Sequence, residues 1–326
     1  MKLKPNSGFF CGIIMLCLSC LQSHAQLPTI LALAPDARST GMADMGVATS
    51  PDNNSQYFNV AKYAFAGKAG IALSYSPMMR KLSPDMHTLY LAGYGHLGDN
   101  NYLSGAISYM SLGEMLLSDG TTIISHHPSE WAIDLGYSRQ LTPNIALGIA
   151  FRYASAVYAN WNMFSISSAG ALAADAGAYF QYPVGQNQLS AGVSITNIGT
   201  QFNFGGDTRA SLPMALRLGV NHRFNFAEEH SLSLGAEVNQ PFVYGAENSF
   251  KQAVFGVGAE YILQQWLFFR GGYFYNNKNH GDRSRLSLGA GISYQGFGAD
   301  FSYWLPTSSA NNTLDNTVHI TLSYLF

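Results

Sequence analysis

Along the last ten residues of the chain, apolar and polar side chains trade places at every step. Val318, Ile320, Leu322, Tyr324 and Phe326 alternate with Thr317, His319, Thr321 and Ser323. Successive side chains of a strand point to opposite faces, so this segment has one greasy face and one polar face. The same period of two recurs upstream. Trp131, Ile133, Leu135 and Tyr137 oppose Ala132, Asp134, Gly136 and Ser138; Ile145, Leu147, Ile149, Phe151 and Tyr153 oppose Ala146, Gly148, Ala150 and Arg152. Met214 to Asn221 and Arg285 to Ile292 follow the same pattern. Charged residues are only 11% of the chain, against roughly 25% in soluble domains, too few to cover a soluble sheet protein of this size. No stretch after the first residues reaches the ~18 apolar residues of a membrane helix. Alternating strands, few charges and 13% aromatics fit a transmembrane β-barrel, whose strands need apolar residues only at every second position.

Counting such segments predicts an all-β fold, a 14-stranded antiparallel transmembrane β-barrel with an N-terminal luminal plug segment. The predicted spans are 68–77, 87–97, 101–111, 130–140, 145–156, 170–182, 187–198, 212–224, 230–241, 250–263, 265–275, 284–294, 296–305 and 316–326. Short connections alternate with long ones at 78–86, 112–129, 157–169, 199–211 and 306–315. Outer-membrane barrels have short periplasmic turns and long outer loops, so the long set is expected outside and both termini in the periplasm. The final Phe326, with Tyr324 two positions earlier, resembles the C-terminal signal that marks outer-membrane barrels for assembly.

Residues 1–25 read as a secretory signal. Lys2 and Lys4 precede an apolar run from Phe9 to Leu18, too short to span a bilayer, and Ser23-His24-Ala25 predicts cleavage before Gln26. Cys20 raises the rival reading of a lipoprotein signal. Cys11, Cys17 and Cys20 are the only cysteines, so the remaining chain has no disulfide, thiolate zinc site or thiol nucleophile.

Residues 26–66 show no long alternation, and their small residues with interspersed charge suit a plug packed inside the lumen of a barrel spanning 67–326; a periplasmic tail is the alternative. Strand parity turns Asp134, Asp175, Glu237, Glu260 and Asp300 inward together with Arg152, Arg217, Arg270 and Arg285. Ions are costly in hydrocarbon, so these groups should face the lumen and pair. They line a charged path or brace the barrel against its plug.

The first outer loop, Pro77-Met78-Met79-Arg80-Lys81-Leu82, sets flexible thioethers beside two cations. It suits a surface for many related protein partners, or a rim where Arg80 and Lys81 meet outer-membrane lipid. His126-His127 reads as solvated loop in preference to a metal site, since adjacent histidines rarely face one ion. No Gly-x-Ser-x-Gly elbow marks a nucleophile, and the Gly-x-Gly pieces at 256–258 and 289–291 lie within strands. No catalytic residue, metal or cofactor is expected. The near-zero net charge gives no sign of nucleic-acid binding.

A resemblance adds to this reading. Ala34-Pro35-Asp36-Ala37-Arg38, Gly41-Met42-Ala43-Asp44, Gly46 to Asp52 and Asn59-Val60-Ala61-Lys62 follow in order, joined by Ser74-Tyr75-Ser76-Pro77, Asp85-Met86 and Ser111-Leu112-Gly113-Glu114. Together they resemble the PorV (LptO) family, outer-membrane barrels of the Bacteroidetes type IX secretion system, within the FadL-like transporter superfamily. That resemblance implies a fourteen-stranded barrel whose plug contains Asp36, Arg38, Gly41, Met42, Asp44 and Asn59. It also implies a shuttle that takes C-terminal signal domains of secreted cargo from the large translocon barrel to a surface attachment complex with a PorU-like sortase. One departure is visible: the superfamily commonly has proline where this chain has Val60.

The rival expectation is a FadL-like channel for hydrophobic small molecules. Many luminal glycines permit space for one, while the inward charge argues against a greasy interior. Lipid A deacylation would need a serine or histidine site facing the outer leaflet, and the sequence offers no such constellation.

Overall fold

The computed structural model describes residues 30–78, 83–118, 123–160, 165–206, 208–242, 252–277, 284–307 and 316–326. Fourteen strands form one closed antiparallel barrel. They are β1 (Ala69–Pro77), β2 (His87–Gly98), β3 (Asn101–Ser111), β4 (Ser129–Gln140), β5 (Ile145–Asn160), β6 (Ser165–Val184), β7 (Asn187–Gly199), β8 (Ala215–Ala227), β9 (His230–Pro241), β10 (Val254–Leu263), β11 (Leu267–Tyr275), β12 (Arg285–Tyr294), β13 (Phe297–Pro306) and β14 (Val318–Leu325). Each pairs with its sequence neighbours, and β14 closes on β1 with Gly70 opposite Leu325 and Tyr75 opposite Ile320. Closure pairs every strand on both sides, which is what a sheet in lipid requires.

The alternation resolves into an outer wall and an inner wall. Leu73, Leu135, Phe151, Val220, Phe301 and Leu322 are exposed on the outside, where lipid rather than water is the solvent. Tyr137, Tyr182, Phe226, Trp266, Tyr294 and Phe297 stand exposed at the short-turn end, and Tyr75, Tyr109, Phe255, Tyr273 and Tyr275 at the long-loop end. These are the two aromatic girdles of a barrel that crosses a membrane between them. Short turns mark the periplasmic end, and β14 ends there.

Three regions differ from the sequence expectation. Much of the predicted outer loop 157–169 is strand, because β5 and β6 pair out to Asn160 opposite Ser165. The long loops also carry two small ribbons, Met115–Ser118 with Ile123–His126 and Gln201–Asn203 with Arg209–Ser211. Both termini were expected in the periplasm. Phe326 lies at that end, whereas Ile30 sits at the outer end of the lumen, its N–H donating to Glu130 at 2.7 Å; residues before it lie outside the described ones.

The segment from Ile30 fills the barrel and descends toward β1. It contains two one-turn helices, Ala37–Gly41 and Ser55–Phe58, and a 3-10 helix, Val60–Phe65. Asp36 caps the first by accepting from Ser39 N at 2.9 Å, and Asn59 caps the 3-10 helix by accepting from Ala61 N at 3.2 Å. Val60 is the first residue of that helix, where an N–H has no intrahelical partner. Valine and proline therefore serve alike there, and the departure at this position leaves the backbone intact.

Candidate functional site

The plug is held by what the inner wall lacks. Luminal glycines lie directly opposite one another on neighbouring strands: Gly148 with Gly177, Gly192 with Gly219, and Gly235 with Gly258 and then Gly272. Plug atoms, backbone at four of these glycines and side chain at Gly177, Gly219 and Gly235, occupy the space their side chains would fill. A Cβ on Gly192 would lie 2.0 Å from Val47 O, one on Gly148 2.6 Å from Ala61 N, and one on Gly272 2.7 Å from Ala43 N. The luminal glycines are therefore filled by chain, where the sequence reading saw room for a ligand.

Plug backbone groups that cannot pair within such short helices find partners on the wall, as buried polar groups must. Glu237 Oε2 accepts from Gly46 N and Val47 N at 2.8 and 2.9 Å. Ser190 and Ser194 donate to Ala48 O and Phe58 O at 2.8 and 2.7 Å. Thr321 accepts from Ala37 N, and Ser287 accepts from Ala43 N. Ala43 and Asp44 both have left-handed backbone, with φ of 61° and 57°, a conformation L residues adopt at a cost. It is sustained where Gly256 and Gly272 let the turn approach the wall and Asp44 reaches Arg285.

The nine charged residues assigned to the lumen by parity are all inside, and all pair. Arg152 bridges Asp134 and Asp175 and also reaches Asn197. Arg217 holds Glu237 at 3.1 Å. Arg270 joins Glu260 at 2.8 Å and Asp300 at 2.5 Å. Two of these clusters include the plug: Arg38 donates to Glu260 at 2.9 Å and to Asp52 at 2.8 Å, and Arg285 takes Asp44. Around the clasp, burial and the Asp52 carboxylate push Asp36 up to about 6. Burial alone would raise Asp52 too, but Lys62 and Arg38 outweigh it and hold its carboxyl below the ordinary range. Lys62 is fully buried, donating to Gly46 O at 2.8 Å and Thr49 Oγ1 at 3.0 Å, and burial lowers its ammonium.

The remaining plug residues have mechanical places. A Cβ on Gly41 would lie 3.3 Å from Gly289 Cα, Met42 is buried against Gly258, and Asn59 Nδ2 donates to Val47 O and to Ala178 O.

The outer-loop candidates come apart. Met79, Arg80, Lys81 and Leu82 lie outside the described residues. Met78 is buried in an apolar cluster inside the wall with Ile30, Leu31 and Met110, so it is no rim residue. The histidine pair also splits, with His126 buried in its ribbon and His127 exposed, which corrects the solvated reading for His126. Among the described residues no group of three His, Cys, Asp or Glu could hold a metal ion.

Sequence reasoning passed over several residues. Glu130 shares parity with Asp134, and Arg223 with Arg217, so strand register alone would have found both inside. Glu130 accepts from Ile30 N and from Tyr158. Asp52 and Lys62 stand in the blocks that carry the family resemblance, but nothing local shows that they meet Arg38 and Gly46, which they do only through the fold of the plug.

Residues 23–248 match the family model for the type IX secretion system protein PorV. The chain belongs to the PorV family. It is a component of type IX secretion set in the outer membrane, with the family and fold of a secretion barrel. No curated protein matches the sequence. Among solved structures, the P. putida toluene transporter TodX is similar at 12% identity and a TM-score of 0.61, over 91% of this chain and 99% of that one. The Ralstonia pickettii toluene transporter TbuX is similar at 12% identity and a TM-score of 0.58, over 91% and 100%. At such identity the likeness is one of fold alone.

Proposed function

We propose that this barrel is a non-enzymatic carrier that binds the C-terminal signal domain of secreted cargo on its outer side. It takes cargo from the large translocon barrel to the attachment complex that holds a PorU-like sortase. The observation that carries this reading is the seated plug. Plug backbone sits against the glycines of the wall, and Arg38, Asp52 and Asp44 tie it to the ion pairs. A pore so filled leaves the rim and the loops above it as the surface free to work. Residues 79–82, with Arg80 and Lys81, stay the first candidate for cargo contact, with outer-membrane lipid as their other neighbour. The nine luminal charges brace the barrel instead of forming an ion path, since each already has its partner. Deleting the gene should trap cargo bearing the C-terminal signal in the periplasm, and affinity isolation of the intact barrel should recover a translocon barrel or a sortase. Unchanged surface display in the deletion strain would reject the proposal.

The second reading is a channel for hydrophobic small molecules, favoured by the fold shared with two toluene transporters. It requires the plug to leave its glycine seat. Toluene uptake into vesicles containing the purified barrel, lost when the plug is cross-linked to the wall, would decide for it.

A further inference from the structure

Below the plug, at the periplasmic end of the lumen, lies a cavity of about 550 Å³. Arg38, Asp52 and Phe65 of the plug stand on one side of it, and the periplasmic ends of the wall strands form the rest. The volume falls within the range of small-ligand sites. Three arginines and three acidic side chains line it: Arg38, Arg223 and Arg270 against Asp52, Glu260 and Asp300.

Most of this charge is already engaged. Glu260 accepts with both oxygens from Arg38 and with one of them also from Arg270. Asp52 accepts from Arg38 with one oxygen, and from Asn54 N and Ser55 Oγ with the other. Two groups keep capacity. Arg223 donates its Nε to Ser231 Oγ at 3.2 Å and pairs with no carboxylate among the described residues. Its two terminal nitrogens have no partner there either, and they are open to solvent. Asp300 gives one oxygen to Arg270; the other is unclaimed, and 17% of the side chain is open.

The strand register sets these two poles along one row. Ser231, Ile262, Phe268, Gly291 and Asp300 lie opposite one another in turn across β9 to β13. Arg223 is anchored at the Ser231 end. Asp300 folds over Gly291, where a Cβ would lie 2.0 Å from its Oδ1. Ile262 and Phe268 face inward between the poles and give the row an apolar middle. Ser231 and Gly291 are three strand spacings apart, roughly 14 Å. An extended peptide advances about 3.5 Å per residue, so three or four residues reach from one pole to the other. An anion would answer Arg223 alone, and a cation Asp300 alone. A zwitterion answers both and leaves the balance of charge as it is.

We propose that this cavity binds a short peptide with free ends, three or four residues long, entering from the periplasm. Its carboxylate accepts from the fork of Arg223, its ammonium donates to Asp300, and its side chains rest on Ile262 and Phe268. The site is independent of cargo transfer: it lies below the plug, where the carrier reading uses the loops at the opposite end.

The test is calorimetric titration of the full, detergent-purified barrel with trialanine and tetraalanine, beside their N-acetylated and C-amidated forms and octanoate. Saturable binding of at least one free-ended peptide is expected, weakened about tenfold when either end is blocked and about tenfold in Arg223→Gln, by loss of charge-assisted hydrogen bonds. In that variant the free acid and the amide should bind alike, since the group that reads the carboxylate is gone. Arg223→Gln breaks no ion pair and should keep the heat-dependent shift in gel mobility of a folded barrel. Failure of both peptides to bind the folded protein, equal binding of free and blocked forms, preference for octanoate, or affinity unchanged in Arg223→Gln would overturn the proposal.

Discussion

The two faces of the same strands are built by different rules. On β8 the outward residues Leu218 and Val220 meet only lipid, and any large apolar side chain serves there. The inward residues one step away, Arg217 and Gly219, are matched to particular partners: Glu237 and the Tyr57 and Phe58 rings for the arginine, the Val47 side chain for the glycine. The outer face answers to a uniform solvent and is tolerant. The inner face answers to one particular segment of chain and is not.

The sharpest way to break this contrast is to give the inner wall a side chain. Gly192→Val would place a Cβ within 2.0 Å of a plug carbonyl that cannot swing aside, so the plug should lose its seat. Protease access to residues 30–66 and loss of the folded band on gels would report it. Gly95→Val, where nothing lies within 4 Å of the new Cβ, should leave both unchanged; equal damage at the two sites would refute a specific seat.

Next in size is the clasp. Glu260→Gln removes the carboxylate that Arg38 and Arg270 share and leaves each with one other, Asp52 and Asp300, at a cost of about 3 kcal/mol for the charge-assisted hydrogen bonds lost. Denaturant unfolding in lipid measures it, and a cost under about 1 kcal/mol would place the network in bulk-like water.

The outer face should tolerate chemistry less than shape. Val220→Arg, midway along β8, should cost about 2–4 kcal/mol, whereas Val220→Leu should cost nearly nothing. Equal costs for the two variants would show that this face does not meet hydrocarbon.

The smallest effect is one of pH. The folded Asp36 carboxyl is raised to about 6 from an ordinary 3.8, so the folded state holds its proton more tightly than the unfolded chain. This contribution is fully present below about 3.8 and is lost as pH rises through 6. Asp52 is shifted downward, so its own loss falls in the acid range below that window. Thermal melting should therefore drop by a few degrees between pH 5 and pH 8, and the drop should shrink in Asp36→Asn. A melting point rising over the same interval in the parent protein would contradict the assignment.

How much of this was legible follows the same division. Period-two alternation from Trp131 to Tyr137, or from Val318 to Phe326, needs no knowledge of neighbours, because the lipid that selects it is the same on every strand. Parity likewise placed Arg152 and Glu260 inside. It could not tell that Arg38 would reach Glu260 across 222 residues. It did not show that luminal glycines hold backbone, or that Met78 turns inward. Those depend on a partner far away in sequence, and nothing local encodes distance through space.

By itself, the sequence determined a fourteen-stranded membrane barrel, its inward charges and a folded segment ahead of the first strand. Each of these is set by side-chain period and by the cost of an ion in hydrocarbon. Only the tertiary structure decided that the segment descends from the outer mouth, seats on opposed glycines and is locked by Arg38, Asp44 and Asp52. The reason is steric and electrostatic complementarity: a missing side chain or a lone arginine has meaning only once its counterpart has been brought within a few ångströms.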